Sequence, residues 1–269
     1  MIVDVNVHLS RWPFRRLPCD ELSRLAEKLH VCGVTEAWAG SFDGVFHKDL
    51  GGANARLADD CRRCRPGLLR PFGSVNPAFP DWREDLRRCH EDHRMPGIRL
   101  CPAYHGYRLD NPAFAELLTL AERRGLIVQL AARLEDPRVQ HPLMRVPDVD
   151  VGPLPELLVA RPRLRLVLLG ALPILRGDAI TRLLRAGEVY FEISMLEGVG
   201  GVANLLARVP VDRLLFGSHF PLFVLESALL KLQESELPPA QVRAITRENA
   251  RRLRRARPAA DSGIRHAEA

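Results

Sequence analysis

No apolar run in this 269-residue chain reaches the roughly 18 residues needed to span a bilayer, so a transmembrane helix is excluded. Aromatic residues are scarce, at 6%, which leaves few stacking platforms for nucleic-acid bases. Internal repeats and low-complexity blocks are missing. With 46% apolar and 27% charged residues, the composition excludes intrinsic disorder and a collagen-like repeat. Six cysteines are too few for a disulfide-dense scaffold of this length. The opening Met1-Ile2-Val3-Asp4 carries charge at once, without the basic-then-apolar pattern of a secretion signal. The cysteines are therefore expected to be reduced and the protein cytoplasmic. Cys61-x-x-Cys64 lacks the second pair of a zinc ribbon and reads as packing on a helix. No G-x-S-x-G, Walker A or H-E-x-x-H pattern occurs.

Charge adds little. The 39 Lys+Arg exceed the 33 Asp+Glu by 6, and much of that excess sits in Arg251-Arg252-Leu253-Arg254-Arg255-Ala256-Arg257. Elsewhere arginine is mixed with acids on predicted helices, a solvated face. The expected partner is a small molecule, neither nucleic acid nor membrane. Self-association into a homo-oligomer is left open by the sequence.

What the chain does contain is alternation. Apolar runs at Ile2–Val7, Val34–Ala39, Leu69–Val75, Gly97–Cys101, Leu126–Leu130, Leu164–Leu169, Val189–Ile193 and Arg213–Gly217 read as strands. Amphipathic helical stretches lie between them, among them Asp81–His93 and Ala113–Arg124. The latter opens with Asn111-Pro112 and closes at Gly125. Some eight strand-then-helix units in one chain predict an α/β fold, a single-domain (β/α)8 barrel of the TIM type. A doubly wound sheet would need a glycine-rich phosphate turn after the first strand, and none is present. The barrel is expected over 1–255, followed by a flexible C-terminal tail, 256–269. Two connections, 40–53 and 131–153, are long and follow strand C-terminal ends, where barrels place their sites.

Polar residues gather at those ends. In Asp4-Val5-Asn6-Val7-His8, strict alternation puts Asp4, Asn6 and His8 on one face and both valines on the other, against helices. Arg99, Tyr104, His105, Gln129 and Glu192 lie at or just beyond later strands. His219 sits in the turn Gly217-Ser218-His219-Phe220-Pro221, predicted at the same rim as His8. Glu135 and His141 fall in the loop 131–153, which is long enough to form a lid.

These pieces together resemble the amidohydrolase-related family of metal-dependent hydrolases and decarboxylases. Ile2-Val3-Asp4-Val5-Asn6-Val7-His8 resembles its opening D-x-H-x-H strand. Gly97-Ile98-Arg99-Leu100-Cys101-Pro102 resembles its strand 4, and Arg161–Leu168 the run into strand 6. Asp212–Pro221 resembles the strand ending G-S-D-x-P, and Glu248-Asn249-Ala250-Arg251-Arg252-Leu253 the final G-N-A-x-R-L helix. The resemblance implies a divalent metal, zinc, at the C-terminal mouth. The ligand positions diverge, however. Asn6 and Gln129 replace histidines, Gly170 falls on another histidine, and His219 stands at the aspartate. Amide oxygens are poor zinc ligands, so weak or no zinc binding is expected. If metal is kept, His8 and His219 are the expected ligands. Otherwise His219 or His8 serves as the general base. Arg99 is expected to anchor a substrate anion, with Tyr104, His105, Gln129, Asn6, Glu135 and His141 around it. The implied activity is hydrolysis or decarboxylation of a small carboxylated or cyclic substrate. The rival is a non-catalytic barrel that binds a small molecule or a partner protein.

Overall fold

The computed structural model describes residues 1–255, so the expected tail, 256–269, lies outside the described residues. Eight parallel strands follow one another in chain order: β1 (Ile2–Leu9), β2 (Val34–Ser41), β3 (Leu69–Ser74), β4 (Gly97–Leu100), β5 (Ile127–Ala131), β6 (Arg165–Leu169), β7 (Glu188–Glu192) and β8 (Leu214–Leu215). The chain beyond β8 closes the barrel against β1. Val5 N–H donates to the Phe216 carbonyl at 2.9 Å and His8 N–H to that of Phe220 at 2.9 Å. Helices such as Leu22–Val31, Leu50–Arg63 and Pro112–Arg123 cover the outside. The fold is thus the (β/α)8 barrel that the alternation predicts.

Most elements lie within a few residues of the sequence expectation. The larger differences are in the connections. The loop 40–53 contains a short helix, Asp43–Phe46, and Asp49 then caps the helix Leu50–Arg63 by accepting from Gly52 N–H at 2.8 Å. A second short helix, Pro102–His105, follows β4. The six cysteines are unpaired. Cys61 is buried in the helix packing, and burial pushes its thiol up to about 12, an unreactive state. Among the described residues no helix is long and apolar enough to cross a membrane.

Strand β1 corrects the alternation argument. Val7 packs outward with Leu25 and Leu29, as expected. Val3 and Val5 instead join Trp38, Phe72 and Ile127 in a separate cluster. The reason is a break in register against β2 between Asp4 and Val7. A bulge of this kind resets which side chains face the core, and periodicity alone does not reveal it.

Candidate active site

The C-terminal ends of β1, β4, β5 and β7 and the turn after β8 bring one polar group together. Asn6, His8, Gln129, Glu192, Arg99 and His219 are all fully or almost fully buried. The rings of His8 and His219 meet edge to face, 5.0 Å apart between centroids, although they lie 211 positions apart in sequence. Asn6 Nδ2 lies 2.9 Å from His219 Nδ1, and His219 Nε2 lies 2.5 Å from the Leu134 carbonyl oxygen. A carbonyl only accepts, so Nε2 carries the proton and the Nδ1 lone pair receives the Asn6 amide. Burial, offset in part by the Leu134 carbonyl, lowers His219 to about 4. Burial, then Arg99 and His219, hold His8 well below the usual imidazole value. Both rings are neutral at neutral pH.

Behind them Glu192 accepts from Gly170 N–H at 2.7 Å, Ser194 N–H at 2.6 Å and Ser194 Oγ at 2.8 Å. Burial raises its carboxyl despite those donors. Asp4 Oδ1 accepts from Asn6 N–H and Ser218 N–H, both at 3.0 Å, and burial pushes Asp4 up to about 7.

Arg99 spans the barrel interior. Its Nε donates to Gln129 Oε1 at 2.8 Å, and Nη1 donates to the Val7 carbonyl at 2.9 Å and faces His8 Nε2 at 3.2 Å. Nη2 donates to the carbonyls of Trp38 at 3.0 Å and Val5 at 3.4 Å. A guanidinium has five N–H groups, and these contacts engage them all. The expected anion anchor therefore has no donor left for a substrate in this structure.

An aromatic plug lies over the site. Phe42 stacks on His8 at 4.8 Å, and Trp12 packs against Phe42 at 5.1 Å, Phe46 at 5.2 Å and Tyr104 at 6.4 Å. Phe14 joins through Trp12, and His141 stacks on Phe14 at 5.2 Å. Glu135 is buried and pairs with Arg15 at 2.5 Å, which ties the loop 131–153 to the segment after β1. His105 turns away, its Nε2 3.0 Å from the Gly44 carbonyl. Within the plug, Trp12 Nε1 and Tyr104 Oη are buried with no hydrogen-bond partner. Trp12, Phe42 and Phe46 escaped the sequence reading. Their signal was a run of aromatics in the two segments after β1 and β2, in a chain poor in aromatics.

The metal implied by the family resemblance does not fit this donor set. Of the five inherited positions, His8 and Gln129 face Arg99, and Asn6 and His219 bond each other, with His219 engaged at both nitrogens. Gly170 has φ +62°, and a Cβ there would stand 2.2 Å from the Arg133 carbonyl oxygen, so this backbone admits no side chain. Glu135 and His141 are spent in the plug. Among the described residues no group of three or more His, Cys, Asp or Glu is placed to hold a metal ion.

A family model described as amidohydrolase matches residues 7–255. No curated protein matches the chain. Several solved structures do. 2,6-Dihydroxybenzoate decarboxylase from Rhizobium is 17% identical, with 94% of this chain and 98% of that one covered and a TM-score of 0.74. 5-Carboxyvanillate decarboxylase from Sphingomonas paucimobilis is 15% identical, covering 95% and 99%, with a TM-score of 0.71. A dihydroxybenzoic acid decarboxylase from Polaromonas, solved with bound manganese and the inhibitor 2-nitroresorcinol, is 13% identical, covering 94% and 96%, with a TM-score of 0.71. At these identities the likeness establishes the barrel.

Proposed function

The chain belongs to the amidohydrolase family, and from that membership we propose that it decarboxylates a small aromatic or cyclic carboxylic acid at the barrel mouth. The observation that carries this reading is the pair of unpartnered buried donors, Trp12 Nε1–H and Tyr104 O–H, inside an aromatic enclosure. Buried donors without acceptors are costly, and a carboxylate supplies acceptors for both. The same apolar walls disfavour a carboxylate charge and favour its loss as carbon dioxide. Substrate reaches them when the loop 131–153 moves aside, which also frees His219 Nε2–H from the Leu134 carbonyl. As the carbon–carbon bond breaks, carbon dioxide leaves, the electron pair stays on the ring carbon, and the freed His219 Nε2–H supplies the proton that this carbon takes up.

Hydrolysis is less well served. It needs a group to take a proton from water. The candidate atoms are occupied: His219 Nδ1 by Asn6, His8 by Arg99, and Glu192 by Gly170 and Ser194. A general-base role for His219 or His8 would require these bonds to open first. A second reading, a non-catalytic binding barrel, is favoured by the plug itself, which closes the mouth.

The test is carbon dioxide release from a panel of hydroxylated aromatic acids, beside ester, amide and lactone panels. Turnover of an acid is expected, with Trp12→Phe and Tyr104→Phe each weakening KM by roughly tenfold through loss of one charged hydrogen bond. Turnover of esters or amides alone would overturn decarboxylation. Silence in every panel, with retained binding of a carboxylate, would establish the second reading.

A further inference from the structure

The donor set that rejects a metal is not empty of positive charge. We infer that Arg99 is the resident cation of this barrel, its guanidinium built into the place where the inherited metal-binding positions on β1 and β5 converge. Three observations carry this, and none depends on which reaction the protein performs.

The first is the contact pattern. Arg99 Nη1 lies 3.2 Å from His8 Nε2 and Nε lies 2.8 Å from Gln129 Oε1, so two of the five inherited positions are turned toward one guanidinium. The replacement at 129 suits a guanidinium better than a metal. Gln129 Oε1 accepts from Arg99, while its Nε2 donates to the Val5 carbonyl at 2.7 Å. A neutral amide oxygen accepts well from a guanidinium but is a weak zinc ligand.

The second is a cradle. Gly40, on β2, passes directly beside the Arg99 side chain, and a Cβ there would stand 2.8 Å from both Cδ and Nη1. The backbone has been left bare where the guanidinium lies.

The third is charge. Arg99 is buried with no carboxylate in direct contact, and its neighbours are carbonyls, an amide and a neutral imidazole. A guanidinium stays protonated throughout the neutral range. A second cation beside it would meet like-charge repulsion at short range. The inherited position after β6 is closed on its own account, because a Cβ on Gly170 would meet the Arg133 carbonyl.

The experiment uses the whole protein. Purified wild type is incubated with excess zinc or manganese, dialysed, and measured for bound metal and for Tm. Well under 0.1 equivalent and an unchanged Tm are expected, where a true site would approach one equivalent. Arg99→Ala is then titrated with guanidinium-type cations at low millimolar concentration, with urea as a neutral control. A Tm rise with methylguanidinium and none with urea is expected. Gly40→Ala is expected to lower Tm in wild type but to cost little in the Arg99→Ala background, since the clash has gone. Where Arg99→Ala fails to fold, Arg99→Lys replaces it: it retains the charge but loses the fork, and a Tm well below wild type is expected. One bound metal equivalent that raises the wild-type Tm would overturn the inference. So would Gly40→Ala costing the same in both backgrounds, or Arg99→Lys matching wild type.

Discussion

Position 219 shows how one side chain is recast by its surroundings. A histidine with Nδ1 on Asn6 and Nε2 on a carbonyl is a fixed tautomer, and burial keeps it neutral. Asp4, which accepts from the adjacent Ser218 N–H, has its carboxyl raised for the same reason, and the two groups pull stability in opposite directions with pH. Asp4 ionises near 3.8 when unfolded and near about 7 in the fold, so the folded chain holds the extra proton between those values. Its contribution is complete below 3.8 and is lost as pH rises through about 7. His219 ionises near 6.5 when unfolded and near about 4 when folded; its contribution is complete above 6.5 and is lost as pH falls toward about 4. In wild type these slopes offset one another in mildly acid solution. Asp4→Asn removes the first and leaves the second. The urea midpoint of wild type is expected to fall from about pH 6 to about pH 8, and that of Asp4→Asn to hold across that range but fall on acidification. Parallel pH profiles for the two proteins would refute the assignment.

At the level of elements, the informative features are places where a strand departs from regularity. The break in β1 between Asp4 and Val7 lets Val5 join the interior cluster while His8 still reaches the mouth. A single sequence carries no mark of it, because a bulge is a property of two strands in register. The turn after β6 is another such place. Gly170 combines left-handed φ with a Cβ position 2.2 Å from the Arg133 carbonyl, and its N–H holds Glu192. Gly170→Ala must strain or shift that turn and is expected to cost about 1–3 kcal/mol, read as a lower urea midpoint with an unchanged m-value. A variant as stable as wild type would show that the turn yields freely.

For the molecule as a whole, the arrangement is an α/β barrel whose C-terminal mouth is closed by aromatics from three separate connections. Trp12 touches Phe14, Phe42, Phe46 and Tyr104, which makes it the hub of the plug. Trp12→Ala is expected to destabilise by roughly 3–5 kcal/mol through lost burial and cavity formation. It should also speed hydrogen exchange at backbone amides of the Asp43–Phe46 and Pro102–His105 segments more than at β5 and β6. Uniform acceleration would mean the plug is not a separable unit. The strand and helix order was legible because each core segment repeats with its own period and each unit is local in the chain. Meeting of His8 with His219 was inferable only through that order. The plug was not legible, since irregular segments carry no period and their partners are remote.

By itself the sequence determined the eight alternating units, the family resemblance and the loss of the inherited ligands, since these depend on residue identity and local spacing. The tertiary structure alone decided that Arg99 turns inward upon His8 and Gln129, that Gly170 faces a carbonyl, and that Trp12 closes the mouth. Each of those is a contact between residues far apart in the chain, and only a closed barrel brings their atoms within bonding distance.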